Sequence, residues 1–348
     1  MRTQQAVVQY ALTPMAVELR EVPVPEIGPN DVLLAVGAAS VCGSDVHQAY
    51  ATHSWAVNVP VTLGHEFGGT IAAVGRDVKG FREGDRVVSE TAAVICGECL
   101  MCRTGRYNLC PSRKGFGYGV DGAMAQYVRV PARCLHHVPD SLPFEIACLT
   151  EPHCVAYNAM CGNASITPGD AVVVLGPGPI GLLCTRMAAL SGAHPLIVAG
   201  LANDAARLET ARQLGATHTV NVQAEDLQEV VRDLAPLGAD VVCDASGASR
   251  PLDIALKLVR PDGQVVKVGW SPDEFAVDLN PLVLKNIRLQ GSFSHNYPIW
   301  ERVIYLLDQG LTRAELIVGL KAGLDGWHEA FEAMHTGQVI KSVLVPTA

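Results

Sequence analysis

Residues 171–181 read AVVVLGPGPIG, an apolar run of strand type that passes into Gly176, Gly178 and Gly181 at G-x-G-x-x-G spacing. A strand that ends in this pattern and opens a helix makes a tight turn. The backbone can then approach a pyrophosphate, which the helix N-terminus stabilises. Gly176, Gly178, Pro179, Ile180 and Gly181 are thus the expected dinucleotide cradle. The sequence beyond the motif supports this reading. LLCTRMAALSG (182–192) is helical, LIVAG (196–200) is a strand, DAARLETARQLG (204–215) is helical, and ADVVCDASG (239–247) and QVVKVGW (264–270) are strands. Such alternation predicts βαβ units and a parallel sheet.

A carboxylate about twenty residues past the glycines binds the ribose 2′-hydroxyl in NAD sites. The second strand ends at Gly200, and the nearest acid is Asp204 in LANDAAR. Asp204 tips the expectation toward NAD. Gly200 at the strand end leaves NADP open, although no Arg or Lys stands between Gly200 and Ala206 and Arg207 falls on the next helix.

Upstream, from Gln5 to about Ala132, the texture changes to short strands with Gly-rich turns, such as DVLLAVGAASV (31–41), GGTIAAVG (68–75) and DRVVSE (85–90). After about Gly291 the alternation is lost. A helix is expected over 299–309 and a terminal strand in IKSVLVP (340–346), a segment that could rejoin the first domain. With 348 residues the chain exceeds what one core usually serves, so two domains are expected.

Composition narrows the function. The chain is 49% hydrophobic and 18% charged, as in a globular protein, and its net charge of −9 with no dense Lys/Arg cluster argues against a nucleic-acid surface. The N-terminal segment is not of secretory type, and AVVVLGPGPIGLLC is too short and too broken by Pro177 and Pro179 to cross a bilayer. A cytoplasmic protein with a small-molecule substrate and no membrane partner is expected. Eleven cysteines in such a chain favour metal binding and buried thiols over disulfides.

Four of these cysteines form the run CGECLMCRTGRYNLC: Cys96, Cys99, Cys102 and Cys110. Short C-x2-C steps aim successive thiolates at one ion, and a four-ligand shell is closed, which is structural zinc chemistry. A redox pair is the alternative, disfavoured because the run does not join a strand to a helix in a βαβ unit.

Other donors are scattered. VCGSDVH supplies Cys42, Ser44, Asp45 and His47; LGHEFGG supplies His65 and Glu66; LTEPHC supplies Glu151. A catalytic zinc takes about three protein ligands and keeps one position open, and mixed S, N and O donors suit that use. Each residue alone has an ordinary structural explanation; their combination gives them weight.

CGSDVH, GHEFGG, the cysteine run, DGAMAQYVRVP (121–131), Glu151–Pro152 and GPGPIG together resemble the zinc-dependent medium-chain dehydrogenase/reductase superfamily, over essentially the whole chain. Within it the chain is similar to polyol (sorbitol or iditol) and threonine dehydrogenases. Simple alcohol dehydrogenases commonly have a second cysteine ligand where this chain has Glu151, which tilts the resemblance to a polyol or sugar. The resemblance implies an α/β fold: a β-rich GroES-like catalytic domain over 1–157 with a structural zinc lobe at about 94–112, a doubly wound Rossmann domain over 158–290, and a return over 291–348. It implies two zincs per chain and a homodimer or homotetramer. Cys42 and His65 would be direct ligands, Glu66 a ligand or close neighbour, and Glu151 a ligand directly or through water, with Asp45 orienting His65. Zinc would lower the pKa of a substrate hydroxyl, Ser44 and His47 would relay the proton, and NAD or NADP would take the hydride. Amino-alcohol oxidation of the threonine type is the alternative within the class. A catalytically silent nucleotide-binding relative is the alternative outside it.

Overall fold

The computed structural model describes residues 2–248, 250–271, 274 and 276–346. The chain forms two compact units, Pro152–Ser294 and the combination of Met1–Glu151 with His295–Ala348.

In Pro152–Ser294 a six-stranded sheet runs in the order His218–Asn221, Leu196–Gly200, Val172–Leu175, Ala239–Asp244, Val259–Lys267, Arg288–Gly291. Every neighbouring pair is parallel, so in chain order the strands lie 3-2-1-4-5-6, the doubly wound arrangement. The strand Val172–Leu175 is buried at all four positions, which explains its continuous apolar sequence. It feeds the glycine turn and the helix Pro179–Leu190, whose N-cap is Gly178 and whose first residue, Pro179, lacks an amide proton the helix would leave unpaired. Gly176 has φ +92°, and a Cβ on Gly181 would stand 1.9 Å from Gly176 O. Both positions require glycine.

The other unit holds a mostly antiparallel sheet in the order Val318–Ala322, Lys341–Leu344, Asp31–Ser40, Glu66–Val74, Arg86–Ser89, Leu135–His137, with Tyr127–Pro131 also paired to Asp31–Ser40. The terminal strand Lys341–Leu344 pairs with Asp31–Ser40 (Val343 opposite Ser40), so the C-terminal return completes this sheet. A smaller sheet joins Val17–Pro23, Thr3–Gln9 and Val61–Thr62. Asp31–Ser40 alternates buried and half-buried positions until Ala38, where it turns wholly inward. That is the end from which the site grows.

The expected helix over 299–309 begins earlier, at Tyr297, with Pro298 in its first turn. The helices that went unread include Gly43–Ala49, Thr150–Tyr157, Leu227–Leu234, Arg250–Leu258 and Trp327–His335. In the last, Trp327, Ala330 and Phe331 recur at helical spacing and are buried, a signal that was present in the sequence. Among the described residues, no helix is long and apolar enough to cross a membrane.

Candidate active site

Three strand ends converge to build the site. Asp31–Ser40 runs into Cys42, the N-cap of helix Gly43–Ala49, where Asp45 Oδ2 accepts the Cys42 N–H at 2.9 Å. The adjacent strand starts at Glu66, directly opposite Ser40, and His65 immediately precedes it. The C-terminal strand brings in Lys341, whose Nζ donates to Val41 O at 2.8 Å. The Cys42 sulfur, a His65 ring nitrogen and a Glu66 oxygen thus lie within 4.8 Å of one another.

The surroundings of this trio favour a cation. Glu66 is fully buried; its Oε2 accepts from Ser40 Oγ and from Lys341 Nζ, whereas Oε1 is buried with no hydrogen-bond partner among the described residues. An orphaned carboxylate oxygen in a dry site is costly unless a cation or donor meets it. His65 is held by Asp45, whose Oδ1 lies 3.3 Å from its Nδ1, and by Ser44, whose Oγ lies 3.4 Å from its Nε2. Burial works against a charged His65 ring, yet Asp45 and Cys42 hold its pKa well above the ordinary imidazole range. Burial, then the charge of Glu66, pushes the Cys42 thiol up. For Lys341, burial disfavours the ammonium, but Glu66 overcomes it and keeps its pKa raised. A divalent ion would reverse the protonation cost at both Cys42 and His65, because it takes the thiolate and the neutral ring. The donor set of one S, one N and one O fits zinc with a position to spare.

Glu151, in the first turn of helix Thr150–Tyr157, stands outside that trio. Its Oε1 lies 2.9 Å from His295 Nε2, and burial, which would raise its pKa, is outweighed by this hydrogen bond so that the carboxyl is held below its usual range. The two residues expected to relay a proton have different partners. Ser44 meets His65, while His47 is exposed and its Nδ1 lies 2.9 Å from Thr52 Oγ1. Burial and the nearby His335 and His53 lower the His47 pKa.

The four-cysteine run closes on itself. Cys96 Sγ is 3.6 Å from Cys110 Sγ and 3.9 Å from Cys102 Sγ, and all four sulfurs lie within 4.8 Å of one another. Tetrahedral zinc with bonds of about 2.3 Å requires sulfur separations of about 3.8 Å, so the knot fits zinc and is far too open for a disulfide. Backbone N–H groups of Cys96, Cys99 and Cys102 each point at a sulfur at 3.4 Å. Amides of Cys99 and Glu98 bring the Cys96 thiol down to about 6. Cys102 is pushed up to about 12, by lost solvation and by sharing hydrogen with Cys99.

At the cofactor loop, Gly200 closes its strand against Pro177: an added Cβ would meet Pro177 Cγ at 2.8 Å. Asp204 is not idle. Its Oδ2 accepts the Leu201 N–H at 3.0 Å and its Oδ1 pairs with Arg207 at 3.2 Å.

Of the other aromatic and imidazole side chains, His295 is the partner of Glu151, Tyr50 stacks on His335 at 3.9 Å and donates to Glu332, Trp55 Nε1 donates to Gln48 Oε1 at 3.4 Å, Phe293 lies 6.3 Å from Trp270, and His153 is fully buried. The sequence reading missed Lys341, Ser40 and Trp300. A lone lysine opening the apolar strand KSVL was the available signal for the first; the other two had none.

Comparison with known proteins adds an independent line. The alcohol dehydrogenase GroES-like domain family matches residues 28–140, and the zinc-binding dehydrogenase family matches 179–309. A sorbitol dehydrogenase of Halalkalibacterium halodurans is 39% identical over 94% of this chain and 95% of its own length. An L-threonine 3-dehydrogenase of Pyrococcus horikoshii is 37% identical over 94% of each. A solved zinc-binding dehydrogenase from Sinorhizobium meliloti 1021, bound to NADP, superposes with a TM-score of 0.92 at 29% identity, covering 99% of this chain and all of the other.

Proposed function

This chain belongs to the zinc-dependent medium-chain dehydrogenase/reductase superfamily and is an NAD(P)-linked alcohol oxidoreductase; on that premise we propose that its substrate is a polyol or sugar oxidised at a secondary alcohol. The observation that carries the substrate class is the likeness to a sorbitol dehydrogenase over nearly the full length of both chains.

Two zincs per chain are proposed, one on Cys42, His65 and Glu66 with Glu151 beside them, the other on Cys96, Cys99, Cys102 and Cys110. Zinc at the first site would polarise the substrate hydroxyl and ease its deprotonation, and the nicotinamide would accept the hydride. The protein's own residues do the rest. Lys341 and Ser40 hold Glu66 by one oxygen, and Asp45 fixes the Cys42 amide and the His65 ring. Ser44 and His47 would pass the proton outward; because Ser44 meets His65 and His47 meets Thr52, the relay needs a bridging group such as water. The lowered pKa of His47 favours its neutral ring, so it would pass a proton on rather than hold it.

Dual coenzyme use is proposed. Asp204 favours NAD by its charge, yet Arg207 neutralises it and the Leu201 amide engages it, so its repulsion of a 2′-phosphate is weak. A homodimer or homotetramer is the proposed assembly, on family likeness. The threonine reading is supported by the comparable identity to an L-threonine 3-dehydrogenase. Initial rates with sorbitol, other polyols, sugars, L-threonine and simple alcohols, each with NAD and NADP, test all of this. The expected result is highest kcat/KM on a polyol or sugar, with the two coenzymes within about tenfold, equivalent to 1.4 kcal/mol. Threonine as the sole good substrate would overturn the choice.

A further inference from the structure

Beside the metal-ligating trio lies a hydrogen-bonded chain that the reaction scheme above does not use. Trp300 Nε1 donates to His295 Nδ1 at 2.7 Å, and His295 Nε2 lies 2.9 Å from Glu151 Oε1. Trp300 is fully buried, and His295 and Glu151 are nearly so.

An indole nitrogen can only donate. The Nδ1 of His295 is therefore an acceptor, its proton sits on Nε2, and Nε2–H donates to Glu151. The ring has one tautomer and one orientation. Trp300 is fixed in turn: its ring stacks on His136 with centroids 5.3 Å apart and planes 11° apart, inside helix Tyr297–Asp308. The start of that helix is tied to the loop within the cysteine knot, where Asn296 Nδ2 donates to Gly105 O at 3.0 Å and the Tyr297 N–H to Tyr107 Oη at 2.6 Å.

We propose that His295 is a positioning residue for Glu151, with Trp300 locking its tautomer, so that one carboxylate oxygen is pinned and the group is held ready as a ligand beside Cys42, His65 and Glu66. This deepens the zinc-dehydrogenase reading and rests on it. It gives the two carboxylates of the site different supports. Glu66 is held by a buried cation, Lys341, and Glu151 by an imidazole N–H of fixed direction. The second support restrains geometry without adding a compensating charge. Orienting partners of this kind change metal affinity or activity by roughly 10–100-fold when removed.

The test compares the full-length parent with His295→Ala, His295→Gln and Trp300→Phe. Each apoenzyme is titrated with Co²⁺ against a competing chelator, and absorption bands of the mixed S/N/O site are read separately from those of the four-thiolate knot. NADPH binding, thermal midpoint and kcat against KM are measured alongside. His295→Ala is expected to bind Co²⁺ at the mixed site about tenfold more weakly and to lose about 10–100-fold in kcat, with NADPH affinity unchanged. His295→Gln, which keeps an N–H within reach of Glu151, should recover most of both. Trp300→Phe keeps the ring but frees the tautomer, and should lose about threefold to tenfold in Co²⁺ affinity. Affinity in His295→Ala within twofold of the parent, or a glutamine variant no better than the alanine one, overturns the proposal. Should His295→Ala fail to fold, Trp300→Phe decides, and parental affinity there overturns the tautomer lock. The Co²⁺ titration needs no substrate, so a wrong substrate class would show in the rates and leave this result standing.

Discussion

The cysteine knot and the Cys42–His65–Glu66 trio both gather metal-type donors within 4.8 Å, yet they are built in opposite ways. The knot takes its four sulfurs from one loop, 96–110, and its second-layer support from amides of the same loop. The trio draws on residues 42, 65 and 66, and its support on 40, 45 and 341, from three strands and a helix. A closed shell of local origin can be read, and can fold, as a unit. An open shell of distant origin exists only once the sheet is formed, and can therefore carry unsatisfied groups that chemistry uses.

That contrast can be broken directly. Cys42→Ala should lose one of two zincs by elemental analysis and turnover by at least about a thousandfold, the loss of several kcal/mol of Lewis-acid assistance, while the knot keeps its metal. Cys110→Ser should lose the other zinc and make residues 94–112 prone to proteolysis, with turnover falling by about tenfold at most through the Tyr107 and Asn296 ties. Equal activity losses in the two variants would contradict the division of labour.

Lys341→Met sharpens the contrast by testing the support alone. It leaves the buried Glu66 carboxylate without its cation and should cost about 3–5 kcal/mol in denaturant unfolding of the metal-free protein. Lys341→Arg, which keeps the charge, should cost far less. Unchanged stability in the methionine variant would mean that the pair is not holding Glu66.

The smallest effect concerns a pair outside both sites. Tyr50 donates to Glu332, and this hydrogen bond, then desolvation, raises its pKa to about 12. The fold therefore favours the protonated phenol: its contribution is complete below the unfolded value of about 10 and is lost as pH rises from there to about 12. Tyr50→Phe should flatten that alkaline slope in thermal midpoints. A slope identical to the parent's would remove the claim.

The glycine turn and the knot were legible because each encodes its geometry in consecutive residues. Gly176 and Gly181 sit where a side chain cannot, and the Cys-x2-Cys steps set sulfur spacing. The members of the proposed catalytic trio were legible as candidates by residue type and family likeness. Their supports were not. Ser40 and Lys341 meet Glu66 through strand register, from 26 and 275 residues away along the chain. His295 was not legible as the partner of Glu151, because nothing local marks an imidazole whose tautomer is fixed by Trp300 five residues on and whose partner lies 144 residues back.

By itself the sequence determined the class of this protein: a parallel dinucleotide-binding sheet, a closed thiolate knot and a dispersed set of S, N and O donors. Period, glycine placement and cysteine spacing are local properties, and local properties survive in one dimension. Only the tertiary structure decided how the carboxylates are held: Glu66 through a buried lysine with one oxygen left unpaired among the described residues, Glu151 through an imidazole locked by an indole, Asp204 engaged by its own turn and Arg207. The physical reason is that a carboxylate's function depends on which charge and which hydrogen faces each oxygen, and those neighbours come from anywhere in the chain.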